Sequence, residues 1–273
     1  SPIMHNAAYE EMGLDWCYVA IPCDRENIEK VTTALRIVDC KGLNVTIPHK
    51  QEVLKACNKL TETANKIQAV NTLVPEKNNQ WIGANTDVEG FLMPLKNHNL
   101  INKSVIVIGC GGSARAVVMG LNSLNIRKIT IIGRNKNSLN IFISSMKNLL
   151  SKNQISIEGI DNKEIDITSY IEEADLIINT TPIGMNDQNN VKNNIPLGNE
   201  IWNCLSNKTI LYDLIYTPRP TNWLKLGQKK NCFVIDGLDM LVGQGALSIK
   251  LWSGFNDVPI QIMKSSAKKH LMV

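Results

Sequence analysis

Short apolar runs set the rhythm of the later part of the chain. Val105-Ile106-Val107-Ile108, Ile129-Thr130-Ile131-Ile132, Leu176-Ile177-Ile178, Thr209-Ile210-Leu211-Tyr212 and Cys232-Phe233-Val234-Ile235 are continuous rather than alternating. Such runs suit strands buried on both faces. Helical stretches such as 114–124 lie between them, and this alternation predicts a parallel, doubly wound α/β sheet. The first 87 residues have another texture. Residues 3–12 read as a helix, with Ser1 as N-cap, Pro2 in the first turn and Gly13 as the stop. Residues 16–21 (WCYVAI) are rich in strand formers, 27–38 are helical in pattern, 42–46 read as a short strand and 49–60 as a helix. Residues 67–74 and 81–84, around a turn at 75–79, predict a hairpin. A helix over 88–96 bridges to the apolar-run region. The tail from Gly237 carries two helical stretches split near 254–259, and the asparagine-rich 186–199 reads as a long loop.

Composition narrows the classes. Hydrophobic residues make up 44% of the 273, enough for sizeable cores. The net charge of +4 comes without any block of like charges, which argues against a nucleic-acid arm. The seven cysteines are odd in number and form no CxxC pair, so reduced thiols are expected rather than a disulfide framework. The four histidines are scattered, and no metal site is expected. No apolar run is long enough to span a membrane, and no signal peptide opens the chain. The expected compartment is the cytoplasm; an organellar leader stays open, because the chain opens on Ser1 rather than Met.

The first motif with chemistry follows the first apolar run. Gly109-Cys110-Gly111-Gly112-Ser113-Ala114 fits G-x-G-x-x-A between a strand and a helix. Gly109 permits the tight turn, Gly111 lets backbone approach a pyrophosphate, and Ala114 lets helix pack on strand. The backbone of Cys110, Gly112 and Ser113 completes the loop at the helix N-terminus, where N–H groups face an anion. This predicts a Rossmann-type dinucleotide domain. The second strand ends in Ile132-Gly133-Arg134-Asn135-Lys136, without the acid that would hold a ribose 2′-hydroxyl. Arg134 suits a 2′-phosphate, and Lys136 adds a point charge beside Asn135. NADP(H) is therefore the expected cofactor.

The remaining motifs lie outside that loop. Gly42-Leu43-Asn44-Val45-Thr46-Ile47-Pro48-His49-Lys50 resembles the G-x-N-V-T-x-P-x-K signature of shikimate dehydrogenases. Ala69-Val70-Asn71-Thr72 and Gly83-Ala84-Asn85-Thr86-Asp87-Val88-Glu89-Gly90 resemble the next two motifs of that family. Asn179-Thr180-Thr181-Pro182-Ile183-Gly184-Met185, Asp213-Leu214-Ile215-Tyr216-Thr217-Pro218 and the run from Asp236-Gly237 to Gly245 are similar to the later ones, in the same order. The resemblance implies reversible, NADP-dependent reduction of 3-dehydroshikimate to shikimate, on the route to chorismate and the aromatic amino acids. It implies Lys50 as catalytic lysine with Asp87 as its partner. It implies Asn71, Thr46 and Gln244 on the substrate hydroxyls, Ser1 and Tyr216 near its carboxylate, and Leu214 and Gly237 on the cofactor side.

The chemistry is coherent on its own terms. A hydroxyl carbon gives up hydride only if its oxygen gives up a proton, and a lysine oriented by a carboxylate can take it. Taken singly, Lys50 reads as a surface lysine, Asp87 as a helix-start acid and Gln244 as one polar position on a helix; their joint occurrence with a cofactor loop changes the reading. Two departures stand out. The strand and serine that the family pattern has upstream of Ser1 are not in this sequence, which would leave a sheet edge open and the carboxylate clamp half built. Ser138 stands where a second basic residue is common. The expectation is a substrate domain of residues 1–87 with 237–273, and a dinucleotide domain of 88–236, meeting at an active-site cleft. The expected partner is a small molecule, with neither nucleic acid nor membrane, and the protein a monomer or homodimer. A quinate/shikimate dehydrogenase using NAD and an idle dinucleotide sensor are the competing readings.

Overall fold

The structure, a computed structural model, describes residues 1–161, 167–185, 195–199 and 201–271. The chain forms two compact units, Ser1–Met93 with Asp239–Val273, and Pro94–Leu238.

The first unit opens with helix α1 (Pro2–Glu11), which ends before Gly13 at φ +63°. Ser1 holds the cap position but makes no side-chain cap bond. Its carbonyl instead accepts from the backbone N–H of His5 (3.2 Å) and from the ring Nδ1 (3.0 Å). The strand formers at 16–21 join no ladder. Asn6 takes the groups a ladder would use: Tyr18 N–H donates to Asn6 Oδ1 (2.7 Å), and Asn6 Nδ2 donates to Tyr18 O (3.1 Å). Helix α2 (Ile28–Ile37) and the two-residue strand β1 (Leu43–Asn44) follow.

The helix expected over 49–60 does not form. Only a 3₁₀ turn, Glu52–Ala56, precedes β2 (Lys59–Leu60), and α3 (Glu62–Ile67) starts after it. The reason is competition for backbone groups. Lys50 C=O accepts from Val70 N–H (2.8 Å), Asn58 N–H donates to Trp81 O (2.9 Å) and Thr61 N–H donates to Gly83 O (2.9 Å). These bonds tie the segment to a hairpin of β3 (Thr72–Glu76) and β4 (Gln80–Ala84). Asn78 and Asn79 turn that hairpin with φ of 57° and 56°, a left-handed pair that asparagine tolerates. The sheet order is β1-β3-β4-β2. Val53, Ala64, Val70, Leu73 and Trp81 fill its core.

Helix α4 (Asp87–Leu92) is shorter than the predicted 88–96, because Pro94 removes a helix donor and a 3₁₀ turn takes over at Met93–Leu95. Two further helices, α10 (Leu238–Ser253) and α11 (Ile260–Leu271), are separated after Gly254. A Cβ on Gly90 would come within 2.9 Å of Met240 O, so glycine lets α4 lie directly against α10.

The second unit holds six parallel strands: β5 (Ser104–Ile108), β6 (Lys128–Gly133), β7 (Ser156–Asp161), β8 (Leu176–Asn179), β9 (Ile210–Asp213) and β10 (Phe233–Ile235). Their order is β10-β9-β8-β5-β6-β7. Counted from β5, that is the 3-2-1-4-5-6 order of a dinucleotide-binding sheet, with the switch point between β5 and β8. Every residue of β5 and β8 is buried, as continuous apolar runs require. The apolar-run criterion misses β7, which pairs only with β6 at the sheet edge and is buried at Ile160 alone. Helices α5 (Gly112–Asn122), α6 (Lys136–Leu150), α7 (Thr168–Glu173), α8 (Ile201–Cys204) and α9 (Asn222–Lys229) accompany the sheet. Gly159 admits Leu139 of α6 so closely that a Cβ would sit 2.8 Å from its Cγ. Residues 186–194 of the expected loop lie outside the described residues.

Candidate active site

In the first unit, the hairpin and α4 bring the predicted polar residues together. Asp87 opens α4 and is 4% exposed. Its Oδ2 accepts from Lys50 Nζ at 2.7 Å, and the lysine side chain is itself only 13% exposed. Lys50 is fixed by its own carbonyl bond to Val70 and by the turn in which His49 N–H donates to Thr46 O (2.9 Å). Asn71, just ahead of β3, donates from Nδ2 to Asp87 Oδ1 (3.0 Å) and to Gln244 Oε1 (3.3 Å). Gln244 arrives on α10, whose approach Gly90 permits. Lys50, Asp87, Asn71 and Gln244 thus form one knot.

The pair is mostly withdrawn from water, so its attraction must offset desolvation of two charges, and the additional N–H from Asn71 serves that end. Arranged this way, the lysine nitrogen is held against a fixed carboxylate.

Ser1 and Thr46 belong to the same unit with exposed side chains. Thr46 lines a cavity of about 710 Å³ with Trp16, Tyr18, Leu43, Asn44 and Trp252; Lys50, Asp87 and Asn71 are not among its walls. Tyr216 lies in the second unit, where burial raises its hydroxyl above the usual tyrosine range. The residues the sequence reading misses are hydroxyls. Thr72, Thr86 and Ser248 are buried behind Asn71 and bonded to one another. Ser248 lies four residues beyond Gln244, one helical turn along the same face, and that spacing was a usable signal.

In the second unit, the glycine loop follows β5 at the switch point. Gly109 has φ +105°, and a Cβ there would meet Thr180 Oγ1 at 2.7 Å, so glycine is required twice over. The Thr180 hydroxyl donates to Ile108 O (2.7 Å), which holds the β8 loop against this turn. Gly111 caps α5 with an extended backbone, and a Cβ there would meet nothing within 4 Å. The loop therefore presents open space to the N-terminus of an eleven-residue helix, as pyrophosphate binding needs. Cys110 is half-buried at the turn, and burial raises its thiol, against the pull of Arg115 and Arg134. Gly112 opens α5, with Ser113 and Ala114 buried behind it.

Arg134 and Lys136 follow β6 with exposed side chains. Asn135 between them is the N-cap of α6, its Oδ1 accepting from Ser138 N–H (2.9 Å). Two cations follow the second strand, whose own end carries no acid, and this fits a phosphorylated ribose better than a free diol; Asp161, at the end of β7, pairs with Gly133. Leu214 and Gly237 sit together: a Cβ on Gly237 would fall 2.0 Å from Leu214 O. Just before Leu214, Asp213 is fully buried. It accepts from Asn179 Nδ2 (3.0 Å), Ile215 N–H (3.1 Å) and Thr221 Oγ1 (2.8 Å). Burial nevertheless lifts its carboxyl from 3.8 to about 6.

Comparison with known proteins finds similarity in both sequence and overall structure. A family model described as the shikimate dehydrogenase substrate binding domain matches residues 1–73, and one described as the shikimate 5'-dehydrogenase C-terminal domain matches 237–268. A relative from Prochlorococcus marinus (strain MIT 9515), named shikimate dehydrogenase (NADP(+)), is 50% identical over 271 residues, 99% of this chain and 93% of its own. A solved shikimate dehydrogenase in complex with NADP+ superposes with a TM-score of 0.86 at 33% identity, covering 99% of this chain and 90% of that one. The quinate dehydrogenase from Corynebacterium glutamicum in complex with NAD gives 0.85 at 25% identity, covering 98% and 93%. The chain belongs to the shikimate dehydrogenase family.

Proposed function

We propose that this chain is an NADP-dependent shikimate dehydrogenase that interconverts 3-dehydroshikimate and shikimate, with Lys50 and Asp87 as its catalytic pair. The buried Lys50–Asp87 contact at 2.7 Å, with Asn71 and Gln244 on the same carboxylate side, carries this reading. NADP(H), when bound, supplies or accepts the hydride at the substrate carbon. Gly109, Cys110, Gly111, Gly112 and Ser113 would hold its pyrophosphate, Arg134, Asn135 and Lys136 its phosphorylated ribose, and Leu214 and Gly237 its nicotinamide side.

The proton is the work of this chain. In the oxidation of shikimate, neutral Lys50 takes the hydroxyl proton from oxygen to Nζ as the carbonyl forms. In the reduction, the ammonium returns it to the carbonyl oxygen. Asp87 keeps Nζ at one position. Asn71, Thr46 and Gln244 would bind the substrate hydroxyls, with Ser1 and Tyr216 toward its carboxylate. We assign substrate to the first unit and cofactor to the second. On this reading the enzyme works in the cytoplasm on small molecules, as a monomer or homodimer.

The test is absorbance at the reduced-nicotinamide band, with shikimate and quinate offered in parallel against NADP+ and NAD+. Shikimate-dependent reduction preferring NADP+ is expected. Faster turnover of quinate with NAD+ would move the protein to the sister activity. Cofactor binding without turnover of either substrate would leave a dinucleotide sensor.

A further inference from the structure

The knot around Asp87 does not end at Asn71. Behind it lies a directed set of buried hydrogen bonds, and its sense can be worked out from the groups that have no choice. Asn71 C=O can only accept, and Asn44 Nδ2 donates to it (3.4 Å), which sets the Asn44 amide nitrogen inward and leaves its Oδ1 to accept from Tyr18 O–H (3.1 Å). That nitrogen donates to Ser248 Oγ (2.8 Å) and to Thr72 Oγ1 (3.2 Å). The Ser248 hydroxyl proton goes to Gln244 C=O (3.0 Å), one turn back on α10. Thr72, having accepted from Asn44, has its own proton for Asn71 Oδ1 (3.0 Å). Thr86 N–H donates to the same oxygen (2.8 Å). With Oδ1 filled by two donors, the Asn71 amide can present only N–H to Asp87 Oδ1.

We propose that Thr72, supported by Ser248, is a positioning residue for the catalytic carboxylate. It acts through Asn71, by fixing which end of that amide faces Asp87. The fold puts it there by register: Thr72 lies opposite Asn44 on β1 and opposite Ala84 on β4. It is fully buried, as is Ser248. With the wrong end inward, Asn71 would set a carbonyl oxygen against a carboxylate and repel it from its place beside Lys50. Thr86 N–H alone still favours the correct sense, so loss of Thr72 Oγ1 loosens the arrangement rather than inverting it. The proposal rests on the reading of Lys50 and Asp87 as the catalytic pair.

Two substitutions separate positioning from packing. Thr72→Val keeps the shape and loses the hydroxyl; Thr72→Ser keeps the hydroxyl and loses a buried methyl. Shikimate oxidation, NADP+ affinity by fluorescence titration and thermal melting would be measured for both and for the parent. Expected for Thr72→Val is a kcat lower by roughly tenfold, with the KM for shikimate and NADP+ affinity within about twofold of the parent. Thr72→Ser should turn over within about twofold of the parent despite melting lower. Ser248→Ala should follow Thr72→Val with a smaller loss. If Thr72→Val matches the parent in kcat while Thr72→Ser falls, the residue is packing and the proposal is wrong. If the parent itself fails to oxidise shikimate, the functional reading falls first and takes this one with it.

Discussion

Two buried carboxylates, one in each unit, show what a cation changes. Asp87 and Asp213 are 4% and 0% exposed, and both accept from an asparagine amide nitrogen at 3.0 Å. Asp87 then meets the ammonium of Lys50 at 2.7 Å. Asp213 meets a hydroxyl and a backbone N–H instead, and the charge of Asp236 repels it. Neutral donors do not offset the desolvation of a charge, so the Asp213 carboxyl is lifted to about 6. On the proposed reading, the paired carboxylate orients a proton carrier. The other ties Asn179 at the end of β8 to Thr221 at the start of α9, bracing the loops of the second unit.

Breaking the first arrangement should have the largest effect. Lys50→Met removes the proton carrier and the counter-charge while retaining length. We expect kcat for shikimate to fall about 10³-fold, with NADP+ affinity unchanged, because the glycine loop belongs to the other unit. The lone carboxylate left behind should lower stability by ~3 kcal/mol in urea unfolding. Turnover within tenfold of the parent would remove Lys50 from the mechanism.

The second arrangement predicts a pH effect with a definite sign. The carboxyl of Asp213 is raised in the fold, so its contribution to stability is fully present below its ordinary value of 3.8 and is lost as pH rises through about 6. Asp213→Asn cannot ionise. The parent should therefore lose ~2 kcal/mol relative to this variant between about pH 4.5 and pH 7.5, at 1.36 kcal/mol per unit. Urea unfolding of both proteins at the two pH values checks it, and parallel curves would mean that Asp213 is ionised at no cost. Gly109→Ala tests the glycine loop of the same unit. The added Cβ meets Thr180 Oγ1 at a backbone φ of +105°, so a loss of ~1–3 kcal/mol in stability is expected. NADP+ affinity should weaken by more than tenfold, and the Lys50–Asp87 knot in the other unit should be untouched.

What the sequence reveals follows from how far apart the partners lie along the chain. Strands β5, β6, β8 and β9 are visible because burial on both faces leaves an unbroken apolar run, β10 keeps such a run at the sheet edge although Phe233 is exposed, and Gly109 is visible because it directly follows one. The edge strand β7 carries no such run. Residues 16–21 have strand formers without a strand, because Asn6, far upstream, satisfies the backbone at Tyr18. The helix expected at 49–60 fails for a similar reason, its backbone groups being drawn to the hairpin. Lys50, Asp87, Asn71 and Gln244 were legible through motifs and Ser248 only through its spacing from Gln244, whereas the roles of Thr72 and of the brace at Asp213 depend on partners that only the fold assembles. Asn179 and Asp213 open two of those motifs and Thr221 is ordinary in the sequence, but that the three form one contact appears only in the fold.

Thr221→Val would sharpen the comparison at its finest point. Thr221 has two tasks: its Oγ1 donates to Asp213 Oδ2 (2.8 Å) and accepts from Leu224 N–H (3.3 Å) as the N-cap of α9. Valine fills nearly the same volume and does neither. Loss of the cap should lower stability by ~1 kcal/mol at every pH. Loss of the donor acts only on the ionised carboxylate, since it is the charged form that this bond favours. The carboxyl of Asp213 should then rise further, and the decline in stability from acid to neutral pH should deepen by roughly another 1 kcal/mol. A pH-independent loss would assign Thr221 to the helix alone; a loss that grows toward neutral pH would show that the hydroxyl supports a charge that has no cation to hold it.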